Sequence, residues 1–233
     1  MVLFWAGPTA AQEVTLDFGD DGSLATRSVQ LFVLLTVLSL VPAIAIMVTC
    51  FPFIVTVLAI LRQAIGLQQS PPNMLMVSLA LFLTYFVMEP VFSEAWTVGI
   101  APMMSGALPL EDGFARTVEP LRAFMATRVD GETLSEIAAL RPDVDAAAPI
   151  DAIPLSVLVP SFLLSELERA FQVGFLIFLP FFIIDLVVAA ILMSMGMMMV
   201  PPAIVSLPFK LAFFVVADGW SLIAASLVRG YTG

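Results

Sequence analysis

The feature that most constrains the fold is a run of 34 uncharged residues, 28 to 61, near the start of the chain. One membrane-spanning helix needs about 20 apolar residues. The run is therefore longer than one span needs, but short for two spans joined by a loop. Pro42 and Pro52 interrupt it, and proline kinks or breaks a helix because it lacks the backbone N–H. A tilted, kinked span and a tight helical hairpin both fit, and we favour one long broken helix.

Three more apolar segments follow, at 74 to 92, 170 to 196 and 203 to 228. Over all 233 residues, 61% are hydrophobic and 12% are charged, and the mean hydropathy is +1.05. Soluble globular domains are about half apolar and about one quarter charged. The composition therefore predicts an all-α membrane protein with four apolar helical segments.

The composition also excludes several classes of function. The chain has no histidine and one cysteine, so the usual ligands of zinc or iron are missing and a disulfide framework is excluded. The net charge of −10 offers no basic surface to nucleic acid. Neither a nucleophilic triad nor a phosphate-binding glycine loop is present. We therefore expect no enzyme activity, no metal and no cofactor.

Changes in composition divide the chain into four regions. A short apolar patch and a small-residue cleavage-like site at the start predict the tail of a signal peptide. The central region is acidic and reads as an insertion, with amphipathic helices expected at 120–129 and 134–140. The predicted regions are 1–27 with the partial signal peptide and an acidic segment, 28–92 with the first apolar helical pair, 93–168 with the acidic helical insertion, and 169–233 with the second apolar hairpin and its methionine-rich loop.

The charges of the short connections predict the topology. Four apolar segments place both termini on the same side of the membrane, and basic residues in short connections favour the cytoplasm. Arg62 and Asn73 belong to the short polar turn after the first segment, and Lys210 lies just past the second short connection. We therefore expect these turns in the cytoplasm, and both termini and the large acidic insertion on the outer side.

Three charged residues, Asp185, Lys210 and Asp218, lie inside the last two apolar segments. A charge at the centre of a membrane helix costs at least about 2.5 kcal/mol and is normally paired or functional. If the chain reverses at 197–198, Asp185 and Lys210 each lie about 18 Å from the turn and can meet across the hairpin. On a continuous helix, Asp218 is about 12 Å beyond Lys210 and rotated by about 80°, so its partner would be another chain or water. We favour a structural ion pair that holds helices or subunits in register; the alternative is a proton relay.

The stretch MSMGMMMVPP contains five methionines and ends in two prolines. Ordinary core packing and Cu(I) binding are two readings of it. Cu(I) binding lacks a supporting histidine or cysteine nearby. Core packing is disfavoured because the consecutive Met197, Met198 and Met199 would point in three directions on a helix and cannot all face one core. We favour a third reading, a deformable seal made of flexible apolar side chains. The seal would lie between breakers, which are Gly196, Pro201 and Pro202.

Several of these motifs closely resemble the FliP family of flagellar and type III secretion export-gate membrane proteins. The resemblance runs from about residue 49 to residue 220 and keeps the family order of motifs. The motifs are LRQAIGLQQSPPN, LALFLTYFVMEPV, PLRAFM, SELERAFQVGF, and GMMMVPP followed by LPFKL and DGW. The last set is highly specific.

The resemblance implies a non-enzymatic subunit of the bacterial flagellar export gate in the inner membrane, multi-pass, at the flagellar basal body. It implies a pentamer-like homo-oligomeric spiral with FliQ and FliR, backed by FlhA and FlhB, through which unfolded export substrates pass. It also implies a cleaved signal peptide and a periplasmic location for much of the assembly. The three methionines of the family form a gasket around the pore, which here corresponds to Met197, Met198 and Met199. The alternative from a different class is a proton-coupled transporter subunit with Asp185 and Asp218 as proton carriers.

Overall fold

The computed structural model describes residues 24–67, 70–144, 149, 152–197 and 199–232. The predicted signal-peptide tail falls on residues 1–23 and so lies outside the described residues. The chain divides into two units, residues 1–43 and 44–233. The first unit contains, among its described residues, most of helix α1. The second unit contains the end of α1 and all the helices that follow it.

The described residues are helical and contain no β-strand, which confirms the predicted all-α class. A short π-helical turn, Trp96–Ile100, joins the third and fourth helices. The helices are α1 Leu24–Met47, α2 Phe51–Ile65, α3 Asn73–Ala95, α4 Ala101–Met104, α5 Leu110–Arg128, α6 Gly131–Ala139, α7 Leu155–Ser194, α8 Pro202–Val216 and α9 Gly219–Thr232.

The first and last predicted apolar segments are each divided into two helices. The first breaks between Met47 and Phe51, and Pro52 occupies the first turn of α2, where proline costs no hydrogen bond. The last breaks between Val216 and Gly219, where α8 and α9 meet at a bend of 62°. Apolar residues flank this break on both sides, and the Asp218–Gly219 dipeptide, which favours turns, is its only sign in the sequence.

Three helical segments are long and apolar enough to cross a membrane, namely Arg27–Met47, Asn73–Met104 and Leu155–Ser194. Together, α8 and α9 pass the same test as one bent pair. Helix α2 is shorter, and its 15 residues span about 22 Å, less than the roughly 30 Å hydrocarbon core of a bilayer. Several apolar helices that fit a membrane location are thus present in the described part of the chain.

The main core forms where α2 packs against α7. The buried face of α2 contributes Ile54, Val57, Leu58 and Leu61, each at most 1% exposed. The two helices approach closely at Gly174, where a Cβ atom would lie 2.4 Å from Cδ1 of Ile60. Any larger residue here would force the Ile60 side chain to move. The short helix α2 is therefore a buried element of the bundle.

A second core forms around the first part of α7. Its buried residues come mainly from α5, α6, α7 and the segment before α7, and they are Val48, Met125, Leu134, Ala138, Ile153, Val157, Leu158 and Phe162. The helices predicted at 120–129 and 134–140 are present as parts of α5 and α6. Asp130 caps the start of α6, and its side chain accepts a hydrogen bond from the N–H of Thr133 at 2.9 Å. This backbone hydrogen bond lowers the pKa of the Asp130 carboxyl.

Helix α7 runs without interruption through residue 168, where the sequence predicted the insertion to end. Its first two turns pack in the second core and its later turns pack against α2 and α8. The predicted boundary does not coincide with the end of a helix. One continuous helix of 40 residues therefore links the acidic region to the apolar hairpin.

Thr84 in α3 offers a test of the core. It is 6% exposed, and its hydroxyl has no hydrogen-bond partner among the described residues. Valine has the same shape without a polar group to desolvate, so we expect Thr84→Val to raise the free energy of unfolding by about 1–2 kcal/mol. The measurement is thermal unfolding of the protein purified in detergent.

The matched control is Thr49, which is 4% exposed but hydrogen-bonded. Its hydroxyl donates to the Ile46 carbonyl at 2.8 Å and accepts from the Phe51 N–H at 3.3 Å. Thr49→Val should therefore lower the stability by about 1 kcal/mol. Shifts of the same sign in both variants would contradict the assignment.

Candidate functional site

The loop between α7 and α8 contains the consecutive methionines. Helix α7 ends at Ser194, and Gly196 follows with a φ of 73°, in the left-handed region that glycine adopts without strain. The N–H of Gly196 donates to the Met193 carbonyl and that of Met197 to the Leu192 carbonyl, which closes the helix end. The sequence-predicted breaker Gly196 therefore ends α7.

The predicted breakers Pro201 and Pro202 start α8. Pro201 is the residue that precedes the helix, and Pro202 is its first residue. Proline suits this position because its fixed φ is helical and the first N–H groups of a helix have no partner within it. The loop between Ser194 and Pro202 is therefore short, and a helix-ending glycine and a helix-starting proline pair fix its two ends.

The described methionines of this loop are exposed in the single chain. Met197 is 42% exposed and Met199 is 97% exposed, while Met198 lies outside the described residues. Met193 and Met195, at the end of α7, are also exposed. Flexible apolar side chains therefore project from the loop.

Asp185 and Lys210 meet across the α7–α8 hairpin. The Lys210 Nζ atom lies 2.6 Å from Asp185 Oδ2 and donates to the Ala64 carbonyl at 3.0 Å. The Ser206 hydroxyl donates to Asp185 Oδ1 at 2.6 Å. These contacts connect the end of α2 to both helices of the hairpin. Lys210 is 6% exposed, whereas the Asp185 side chain is 33% exposed.

Asp218 does not join this pair. It lies at the break between α8 and α9, with a φ of 48°, so the single continuous helix assumed from the sequence is wrong. Asp218 is exposed, and it forms no ion pair within the described part of the chain. Its backbone carbonyl accepts the N–H of Leu222 at 3.0 Å, which supports the first turn of α9.

Arg62 and Asn73, the two residues predicted for the first short turn, contact each other. The Arg62 Nη1 group donates to the Asn73 side-chain oxygen and, at 3.4 Å, to the Pro71 carbonyl. Gly66 ends α2 with a φ of 89°. The turn is thus closed by the guanidinium of α2 binding the start of α3.

A buried carboxylate that sequence reasoning missed lies in α7. Glu166 is 0% exposed. Its Oε1 atom is 3.2 Å from Arg128 Nε and 3.0 Å from Arg169 Nη1, and its Oε2 atom accepts a hydrogen bond from the Tyr231 hydroxyl. These four residues are called the Glu166 cluster below.

The Glu166 cluster joins three helices that are distant in sequence. The Arg128 guanidinium lies 4.1 Å from the Tyr231 ring centre and donates to the Gly230 carbonyl at 2.9 Å. Arg169 donates to the Arg128 carbonyl at 3.2 Å. The cluster therefore attaches the end of α9 to the end of α5 and to the first half of α7.

One part of this cluster was visible in the sequence. Glu166 and Arg169 are three residues apart and so face each other on a helix. Arg128 and Tyr231 lie 38 and 65 residues from Glu166, and no local pattern indicates such contacts. The described residues contain no group of three or more possible acidic or cysteine metal ligands. The site is thus made of ion pairs and apolar side chains.

Comparisons with known proteins agree with the sequence motifs. The FliP family model matches residues 34–227. The flagellar biosynthetic protein FliP of Caulobacter vibrioides is 50% identical over 228 residues, which are 97% of this chain and 85% of that protein. Those of Rhizobium meliloti and Bacillus subtilis are 47% and 44% identical, over 91% of this chain and over 86% and 95% of their own lengths.

Proposed function

The chain belongs to the FliP family, and from this premise we propose that it is a core subunit of the flagellar type III protein export gate. In this role it forms part of the conduit through which unfolded flagellar proteins leave the cell. It acts in the inner membrane as a homo-oligomer with FliQ and FliR, next to FlhA and FlhB. The termini and the acidic insertion face the periplasm. It has no catalytic role.

The observation that carries the proposal is the methionine loop. Met197 and Met199 are exposed apolar side chains on a loop closed by Gly196 and by the two prolines. Methionine is unbranched and has three rotatable bonds, so it adapts to surfaces of different shape. Arranged around a shared axis, Met197, Met198 and Met199 of several copies would seal a pore at rest and close around a passing chain.

The Asp185–Lys210 pair stabilises the hairpin that carries the methionine loop. It lies within the two helices, away from the loop, and connects α7 and α8 to the end of α2. A paired charge in an apolar environment needs a well-defined geometry to offset the cost of desolvation. The pair therefore holds the two helices in one register, so that every copy presents the loop at the same height.

A second candidate function is a proton-coupled transporter subunit. It is favoured by the partial exposure of the Asp185 side chain and by the exposure of Asp218. Protons could reach both carboxylates, and intramembrane carboxylates can act as carriers. The two candidates differ in whether a charge at Asp185 is needed for transport.

Replacing Met197, Met198 and Met199 together by alanine tests the gasket. Alanine removes most of the side chain, so the pore should leak small ions although the complex still assembles. The measurement is ion flux into proteoliposomes that contain the purified complex.

The matched control replaces Met193 and Met195 by alanine. These methionines are 61% and 67% exposed, but they precede the glycine that ends α7. We expect the control to leave the flux unchanged. A triple variant that assembles and shows no greater flux than the control would remove the gasket proposal.

A further inference from the structure

A groove between α2, α7 and α9 combines an apolar lining with two arginines, and the proposed export-gate function makes no use of this combination. Its volume is about 460 Å³. Its walls include Val173, Leu176 and Ile177 of α7 and Leu222 and Leu227 of α9. At one end it is bounded by two arginines of the Glu166 cluster, Arg128 and Arg169. The groove is thus apolar along its length and cationic at one end.

The cationic end presents guanidinium groups whose N–H donors are only partly used, although the Asp130 carboxylate also interacts with Arg169. Two guanidinium groups bind one carboxylate, that of Glu166, which is 0% exposed and therefore lies behind them. The side chains of Arg128 and Arg169 are 18% and 35% exposed. Each guanidinium has five N–H donors, and the hydrogen bonds formed with other described residues use two nitrogens of each group. Donors therefore remain for an anion at the mouth of the groove.

The order of residues along α7 matches an anionic amphiphile. Arg169 is followed by 15 uncharged residues, up to Asp185. Val173 and Ile177 lie one and two turns beyond Arg169, which corresponds to about 6 and 12 Å along the helix. A molecule with its anion on the arginines would therefore place its apolar part directly along the wall of the groove.

We propose that this groove binds an anionic phospholipid, with its phosphate on Arg128 and Arg169 and one acyl chain along α7 and α9. Arginine binds phosphate through paired, charge-assisted hydrogen bonds. Basic pockets between apolar helices are known to hold anionic headgroups. An apolar helix of a second copy would fill the groove but would leave the remaining N–H donors of both arginines unpaired.

The test measures lipid retention by the full chain purified in detergent, using native mass spectrometry. The probes are dioleoylphosphatidylglycerol, dioleoylphosphatidylcholine and inorganic phosphate. We expect the anionic lipid to be retained about tenfold more than the zwitterionic one. A tenfold preference is the effect on affinity of about one charge-assisted hydrogen bond. Arg169→Gln should reduce this preference while Arg128 continues to pair with Glu166.

A blocking variant tests the groove without changing the Glu166 cluster. Ser226→Phe places a ring in the groove, and Ser78→Phe is the matched control. Both serines are exposed and donate to the carbonyl four residues earlier, but only Ser226 lines the groove. We expect Ser226→Phe to abolish the preference for the anionic lipid and Ser78→Phe to preserve it.

Several results would overturn the proposal. Equal retention of the two lipids, or unchanged retention by Ser226→Phe, would show that the groove is not the site. Displacement of the lipid by inorganic phosphate at the same concentration would indicate an anion site without an acyl chain. Lipid on the single chain but absent from assembled complexes would show that a neighbouring subunit fills the groove.

Discussion

Glu166→Gln is expected to lower the free energy of unfolding by about 3 kcal/mol, because it leaves two partly exposed arginines without their buried counter-charge. Glu166 is 0% exposed and contacts Arg128, Arg169 and Tyr231, whereas the two arginine side chains are 18% and 35% exposed, so water can hydrate part of the charge that is left. Tyr231→Phe removes one donor and should cost less, about 1 kcal/mol. Thermal or denaturant unfolding in detergent measures both changes.

The matched control is Glu168→Gln, two residues further along α7. Glu168 is exposed and hydrogen-bonds Gln172 of the same helix. We expect its loss to change the stability by no more than about 0.5 kcal/mol. Limited proteolysis should also show α9 becoming accessible in Glu166→Gln only. Equal effects of the two glutamine variants would mean that the Glu166 cluster does not stabilise the fold.

Lys210→Met is expected to lower the free energy of unfolding by about 3 kcal/mol, near the lower end for loss of one partner of a buried pair. The cost is at the lower end because Asp185 remains one-third exposed and keeps its hydrogen bond from Ser206. The exposed Arg229 is the control, and Arg229→Met should change the stability by no more than about 0.5 kcal/mol. The same unfolding measurement applies.

The double variant Asp185→Asn with Lys210→Met separates the two candidate functions. With no charge left to desolvate, it should recover most of the stability that either single variant loses. If the pair is structural, protein export by cells carrying the double variant is also recovered. A stable, assembled double variant that does not export would favour the proton relay, because a relay needs an ionisable group at Asp185.

The sequence predicted the helical class and the hairpin around Met197 because both depend on local chemistry. Apolar runs of this length have few alternatives to helix in a membrane, since every backbone polar group must be satisfied within the segment. Gly196 and the prolines act on their own backbone. The pairing of Asp185 with Lys210 followed from their equal distance from one turn. Each of these predictions uses neighbours in sequence or a single reversal of the chain.

The Glu166 cluster and the bend at Asp218 were not predicted from hydropathy and local spacing. Arg128 and Tyr231 reach Glu166 only because the ends of α5 and α9 meet each other next to α7. At Asp218, apolar residues on both sides hide the break from hydropathy, although the Asp218–Gly219 dipeptide is one that favours turns. The boundary predicted at residue 168 similarly followed a change in charge, whereas α7 continues because its backbone hydrogen bonds do not depend on that change.

The sequence by itself determined where helices form, where the chain reverses at the methionines, and which family the motifs resemble. Periodicity, proline and glycine act over a few residues, so their effects are set before any packing occurs. The tertiary structure alone decided that α2 is buried against α7, that α9 is held by a carboxylate on α7, and that two arginines border an apolar groove. These features depend on which helix faces meet, and that depends on the packing of the whole chain.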